Sequence, residues 1–305
     1  MNDILNTRPL VSVALPCYNH ERYVQQCIQS IIDQDYQNIE LIIVDDGSRD
    51  GSVEKIREML PACEARFTRF EFRSRPNVGL SATLAEVLPW CQGEYFAAVA
   101  SDDAMLPHKT RLEVDYLDKH PGCAAVFGGV QIADDAGNIV REERRASRSF
   151  DFDDIFLLRH FLKATTQLIR LDDLKAIGPF PAGIIMEDWY MCLKLAASGK
   201  SLDNLHEVVS IYRRHEGNLS KQIDLIIKGR QQIVDLFREH PLYDKAVGKT
   251  YIANAAHMEL HDKGRSLPWF FRGLGKDPAL ILERASFMYL VKLFLPQSTI
   301  RKYAG

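Results

Sequence analysis

Ile39-Glu40-Leu41-Ile42-Ile43-Val44-Asp45-Asp46-Gly47-Ser48 decides the fold. An apolar run of strand length that ends in two carboxylates and a Gly-Ser turn reads as a buried strand delivering acidic groups at its carboxyl end. The pattern recurs at Tyr95-Phe96-Ala97-Ala98-Val99-Ala100, followed by Ser101-Asp102-Asp103. In open α/β sheets such strand ends converge on the crevice that binds ligand. Paired Asp side chains there are hard oxygen donors, suited to Mg²⁺ or Mn²⁺ carrying a diphosphate. Either cluster alone is as well explained as a polar turn, which Asp, Gly and Ser favour for conformational reasons. The two together, in this order, favour a site.

Upstream, Val11-Ser12-Val13-Ala14-Leu15 is a β-branched run closed by Pro16, a strand and its exit. Val24, Cys27, Ile28, Ile31 and Ile32 then carry the i, i+3, i+4 spacing of a helix that faces a sheet. The same spacing returns at Val53, Ile56, Met59 and Leu60, before a strand near Arg69–Phe72 and a helix from about Leu80 to Leu88. Alternating strands and helices imply a parallel, right-handed, doubly wound α/β sheet. Downstream, Pro107 opens a helix to about His120, and Ala124–Phe127 is strand-like. Asp134–Asn138 has hairpin turn chemistry, while charge-rich Arg141–Arg148 reads as a surface loop. Thr165–Arg170 and Val208–Tyr212 read as strands, Asp188–Ala197 as a helix, and everything from Asp224 onward as helices.

The 305 residues are 46% hydrophobic and 26% charged, ordinary for a globular chain, and the net charge of −3 gives no nucleic-acid signature. Six cysteines without metal-ligand spacing suit apolar core fillers in a reducing compartment. Met1-Asn2-Asp3 does not open a secretory leader, and no run of about 18 apolar residues occurs, so a cytoplasmic location is expected.

Pro16-Cys17-Tyr18-Asn19, Val44-Asp45-Asp46-Gly47-Ser48, Asn77-Val78-Gly79-Leu80, Ser101-Asp102-Asp103 and Glu187-Asp188-Trp189 together resemble family 2 glycosyltransferases of the GT-A fold, over roughly residues 9–220. The resemblance implies a GT-A catalytic domain at 1–222 and a helical C-terminal extension at 223–305. It implies an inverting transfer of sugar from a nucleoside diphosphate donor (UDP-hexose or UDP-N-acetylhexosamine) to a saccharide or lipid-linked saccharide, in bacterial surface polysaccharide assembly. Mn²⁺ or Mg²⁺ is the implied cofactor.

Donor-binding residues by resemblance are Pro16, Tyr18, Asn19, Asp45, Arg75 and Asp102. Tyr18 can offer a ring for the base and Asp45 an acceptor for its imide N–H, although Tyr18 could equally pack as an interfacial aromatic. Arg75 is either a cation beside the base or a solvated charge. Asp103 is implied as a direct metal ligand, Asp102 as ribose or metal ligand, and His215 of Tyr212-Arg213-Arg214-His215 as completing the shell. Ala100 stands where many members carry a further Asp. The plain alternative for His215 is a surface imidazole. Asp188 is implied as the base that deprotonates the acceptor, with Glu187 orienting it or binding acceptor. A helix-opening carboxylate favoured by the dipole is the other explanation.

Residues 263–305 hold eight Lys/Arg against two Asp/Glu, leaving about −9 on residues 1–262. With Trp269-Phe270-Phe271 and Phe287–Leu295, this composition suits an interfacial helix on an anionic membrane, or else a helical cap or an oligomer contact. Competing readings are a sugar-1-phosphate nucleotidyltransferase, which would need a Gly-rich basic loop after the first strand, and a non-catalytic sugar-nucleotide-binding module. A dehydrogenase is disfavoured by the missing G-x-G-x-x-G.

Overall fold

Val11–Cys17 (β1) and Ile39–Asp45 (β2) run parallel, from Val11 opposite Ile39 to Cys17 opposite Asp45. Both are buried almost throughout, as strands covered on two faces must be. α1 (Val24–Ile32) connects them, and α2 (Ser52–Arg66) leads to the parallel edge strand β3 (Arg69–Ser74). After α3 (Leu80–Val87), β4 (Tyr95–Ala98) joins the other side of β1, again parallel. This computed structural model describes residues 8–178, 180–181, 183–297 and 299.

The strand period of two meets the helix period of 3.6 in one cluster. Val11, Val13, Leu15, Ile39, Leu41, Ile43, Tyr95 and Ala97 pack there with Val24, Cys27, Ile28 and Ile31 of α1 and with Ile56 and Cys63 of α2. Each fully buried Val, Leu or Ile side chain contributes about 1.5–3 kcal/mol. Glu40, wholly buried in β2, is tolerated because Arg69, the Ser12 hydroxyl and the Gln92 and Gly93 amides all donate to it.

Past β4 the sheet becomes mixed. The chain adds β5 (Ala104–Met105), α4 (Lys109–Lys119), β6 (Cys123–Ala133), β7 (Ile139–Glu143), β8 (Arg148–Phe150), α5 (Phe152–Phe156), β9 (Leu168–Arg170), α6 (Leu171–Ala176), α7 (Glu187–Ala196) and β10 (Ser201–Arg213). The strand order is β3-β2-β1-β4-β9-β6-β10-β5, with β7 on β6 and β8 on β10. β6 and β10 are parallel, whereas β5, β7, β8 and β9 pair antiparallel.

Three expectations need correction. Arg141–Arg148 is a loop only at residues 144–147: its first residues belong to β7 and its last opens β8. The charges sit on an edge strand and pair along it, Arg141 with Glu143 and Gln131 of β6 with Glu142. β10 begins at Ser201, not Val208, because register shifts between Asn204 and Ser210 break the alternation that marks a strand in sequence. Thr165–Thr166 lie in a 3₁₀ turn, so only Leu168–Arg170 are extended.

The described chain divides into two compact units. The first holds the sheet. The second takes in Asp153–His160, Ile184–Tyr190 and the chain from Gly217 onward. It contains α8 (Ile223–Asp235), α9 (Tyr243–Glu259), α10 (Lys263–Lys276) and α11 (Arg284–Leu293). Ile252, Ala255, Phe270, Leu280 and Tyr289 form its own core, with Phe270 stacked on Tyr289 at 4.5 Å. A side chain at Gly273 would lie 2.9 Å from the Gly248 carbonyl, so glycine permits the close approach of α9 and α10. The tail thus buries part of its bulky apolar content, while Phe271, Phe287 and Phe294 remain 64%, 62% and 88% exposed. Arg301 and Lys302 lie outside the described residues. Among the described residues no helix is long and apolar enough to cross a membrane.

Candidate active site

The loops leaving β1 and β2 are tied to each other. Asn19 adopts a left-handed conformation (φ 55°) and donates its amide to the Ser48 hydroxyl at 2.9 Å, while its side-chain oxygen accepts from Arg49 at 2.8 Å. Tyr18, directly before it, stays 41% exposed, and Pro16 lies within β1 opposite Val44. Asp45 is fully buried and accepts from the Ser48 amide at 3.2 and 3.3 Å and from the Ser74 hydroxyl at 2.9 Å. Asp46 does different work: it accepts from the Val78 and Gly79 amides at 2.8 and 2.9 Å and pairs with Arg75. Arg75 also bonds Glu86 at 2.7 Å and the Thr83 hydroxyl at 2.8 Å. Its guanidinium is therefore a clamp between the β3–α3 loop and α3. Gly47 (φ +73°) is required, since a Cβ there would fall 2.6 Å from the Asn77 nitrogen.

The loop after β4 carries the second carboxylate pair. Asp102 lies 2.9 Å from His215 Nε2 and 4.0 Å from His20 Nδ1. One donor atom from each of His20, Asp102 and His215 lies within 4.8 Å of the other two. His20 Nδ1 bonds the Ser101 hydroxyl at 2.7 Å, and His215 stacks on Tyr23 at 4.9 Å. Burial holds the His20 pKa below its ordinary value, against the pull of the Asp102 charge. Two imidazoles and a carboxylate in this arrangement fit a divalent transition ion. Asp103 turns elsewhere, accepting the Arg213 amide at 2.9 Å where β10 ends. Burial first, and the neighbouring Asp102 charge second, raise its pKa well above the carboxylate range. The structure thus brings Asp102 and His215 together and adds His20, with Asp103 anchoring β10 beside them.

Glu187 and Asp188 open α7 within the second unit. The Asp188 carboxylate receives its neighbour's amide, from Trp189, at 2.7 Å. Trp189 is buried and its indole N–H donates to the Ile155 carbonyl at 3.3 Å, so this ring packs within the protein. Burial raises the pKa of both carboxyls, and the Asp188 charge adds to the shift of Glu187.

A sequence profile of the glycosyl transferase family 2 matches residues 12–178. The chain belongs to glycosyl transferase family 2. That match takes in Tyr18, Asp45, Asp102 and Asp103, whereas Glu187, Asp188 and His215 lie beyond it. An uncharacterised protein of Mycobacterium tuberculosis is 29% identical over 211 residues, 67% of this chain and 59% of the relative, so the match spans about three fifths of that relative's length. The family 2 chain also resembles S. aureus TarS 1–349 in complex with UDP-GlcNAc (TM-score 0.63, 17% identity, 96% of this chain and 88% of that one). A mannosyltransferase from Pyrobaculum calidifontis, solved with GDP-Man and Mn²⁺, is similar at TM-score 0.66 and 17% identity, covering 98% of this chain and 84% of that one. These likenesses establish the GT-A fold for the family 2 chain.

Reading the sequence missed His20, Ser101, Tyr23 and Arg213. Ser101 and Arg213 stand within quoted motifs and His20 directly follows one, but their roles come from contacts between loops that the sheet brings together.

Proposed function

We propose that the protein transfers a sugar from a UDP-linked donor to a hydroxyl of a saccharide acceptor, with inversion, in assembly of a bacterial surface polysaccharide. The observation that carries the reading is Asp102 set against His215 at the carboxyl end of the parallel sheet, in a chain of family 2. Neighbours of the same fold solved with UDP-GlcNAc and with GDP-Man and Mn²⁺ support a nucleotide-sugar donor and a divalent ion.

Asp102 and His215 would hold Mn²⁺ or Mg²⁺, which as a Lewis acid neutralises charge on the departing diphosphate. Exposed Tyr18 offers a face for the base, with Pro16 and Asn19 fixing the loop that presents it. Asp45 offers the base edge an acceptor, since a carboxylate has about four lone-pair sites and the Ser48 amide and Ser74 hydroxyl take up part of them. Arg75 acts by shaping this wall through Asp46, and Asp103 by fixing β10.

At the reacting centre the bond between the anomeric carbon and the diphosphate oxygen breaks, and the acceptor oxygen bonds to that carbon from the opposite face. The hydroxyl proton passes to the Asp188 carboxylate, and UDP leaves with the bond's electron pair. A carboxylate made more basic by burial suits that role. Glu187 orients it or binds the acceptor. The basic tail with its exposed aromatics supports peripheral contact with an anionic membrane, where a lipid-linked acceptor would be held.

Thermal melting with UDP and GDP sugars, each with and without Mn²⁺, tests the reading. A donor at about 100 times its dissociation constant should stabilise the fold by about 2.7 kcal/mol. Melting unchanged by every nucleotide would sink it.

A further inference from the structure

The loop after β1 presents an imidazole to the carboxylate and imidazole just described. We propose that His20 is a third protein ligand of the cation, making a two-imidazole, one-carboxylate set with Asp102 and His215 that prefers Mn²⁺ over Mg²⁺. The inference rests on the metal-assisted transfer proposed above and specifies the ion and its shell.

Three observations carry it. The first is distance. Metal–ligand bonds of about 2.1 Å place donors about 3.0 Å apart in adjacent octahedral positions and about 4.2 Å apart across the ion. The three donors, all within 4.8 Å of one another, need contract by well under an ångström.

The second is presentation. The His20 amide bonds the Ser52 hydroxyl at 2.8 Å, and Asn19 before it is held in its left-handed conformation by Ser48 and Arg49. The ring is therefore delivered by a loop bonded to Ser48, Arg49 and Ser52, the stretch that follows Asp45 at the end of β2.

The third is orientation of the rings. Metal-bound imidazoles ordinarily have their second nitrogen held by a neighbour, which fixes tautomer and plane. Ser101 bonds His20 Nδ1 at 2.7 Å and so holds the plane of the ring, with Nδ1 4.0 Å from Asp102. His215 is kept in place by stacking on Tyr23, whose hydroxyl bonds Asp135. His20 and His215 then meet edge to face with centroids 5.7 Å apart.

The chemical consequence follows from ligand type. Mg²⁺ is a hard ion that keeps oxygen ligands and several waters, whereas imidazole suits transition ions. Three protein ligands leave up to three octahedral positions for diphosphate oxygens and water.

The test is Mn²⁺ binding to the full chain in the presence of UDP, followed by loss of the free-ion electron paramagnetic resonance signal. Electron spin-echo envelope modulation of the bound ion should show nitrogen couplings from two imidazoles. His20→Gln, which can still bond Ser101, should weaken Mn²⁺ binding by about tenfold or more and leave one imidazole coupling. Mg²⁺ competition should change by less than the Mn²⁺ affinity, so the preference narrows. A wild-type spectrum with one imidazole, or a His20→Gln variant that binds Mn²⁺ as the parent does, overturns the role of His20 alone. Wild-type protein that binds no Mn²⁺ with UDP overturns the metal reading as well. The wild-type coupling count decides the matter even where the variant melts early.

Discussion

Replacing Asp46 by Ala tests how the β3–α3 loop beside the proposed donor site is held. The Asp46 carboxylate is 4% exposed and accepts two amides, Val78 at 2.8 Å and Gly79 at 2.9 Å, while pairing with Arg75. A hydrogen bond to a charged acceptor contributes about 1.5–3 kcal/mol when buried. Val78 is 56% exposed, so water replaces part of each bond and about 1 kcal/mol apiece is a fairer figure. Arg75 keeps Glu86 and Thr83 and is partly exposed, so its lost pairing adds at most about 1 kcal/mol. The expected cost is about 2–3 kcal/mol, a fall in Tm of roughly 4–12 °C for a unit of this size. Thermal unfolding by circular dichroism measures it, and limited proteolysis should find new cleavage near Asn77. UDP affinity should fall too, because the Asn77 side chain donates to the Asp46 carbonyl at 2.8 Å and so ties the two loops together. Two results refute the reasoning: a Tm within a degree of the parent, or an Arg75→Ala variant as costly as Asp46→Ala. The second would mean that the cation, and not the two amides, holds the loop.

Asp188→Asn should keep donor affinity and reduce turnover by roughly 10²–10⁴, read by radiolabelled sugar transfer; parental turnover would return Asp188 to the role of a helix-opening residue. Because burial raises the Glu187 and Asp188 pKa values, transfer should decline as pH falls through that raised range. Stability should slope the other way, since the folded chain retains protons that the unfolded chain has released, so rising pH costs stability across the same window. Lys109→Met should cost about 3–5 kcal/mol by stranding buried Glu113, and Lys109→Met with Glu113→Leu should recover most of it in urea denaturation. The single variant's penalty should shrink at low pH, because burial already lifts the Glu113 pKa to about 7. The intact protein should sediment with anionic vesicles and be released by salt; Phe287→Ser with Phe294→Ser should cut binding at least about tenfold, and no vesicle binding by the parent would end the membrane reading.

The first half of the sheet was legible because its signals are local. β1, β2 and β4 are continuous apolar runs, and α1 shows its stripe without interruption. β10 was half hidden because shifted pairing removes alternation, and β7 because an edge strand carries paired charges as a loop would. The site divided in the same way. Asp45 and Asp102 end runs that any reader would mark. His20 and Arg213 become visible only when loops that are distant in sequence are brought together by the sheet, as Arg213 is with Asp102 and Asp103. The second unit's use of Asp153–His160 and Ile184–Tyr190 is likewise a matter of long-range packing that no local pattern announces.

The doublets Asp45-Asp46 and Asp102-Asp103 have a common logic. Asp45 closes β2 and Asp46 lies just beyond it, while Asp102 and Asp103 lie in the turn after β4, so neighbouring carboxylates take different partners. In the first doublet Asp46 reaches away to pin Val78 and Gly79, and in the second Asp103 reaches away to the Arg213 amide. The remaining member of the second pair meets two imidazoles, and that of the first accepts from the Ser74 hydroxyl. A single Asp at each place could present an acceptor but would leave the neighbouring loop unheld, and a loop that wanders by an ångström misplaces the group it carries. The two classes of variant should separate accordingly. Asp46 and Asp103 substitutions should lower Tm and loosen donor and cation binding together, whereas Asp102→Asn should abolish Mn²⁺ binding with little change in melting. An Asp103→Asn variant that melts normally yet loses Mn²⁺ as completely as Asp102→Asn would show that both carboxylates serve the ion and that this division of labour is mistaken.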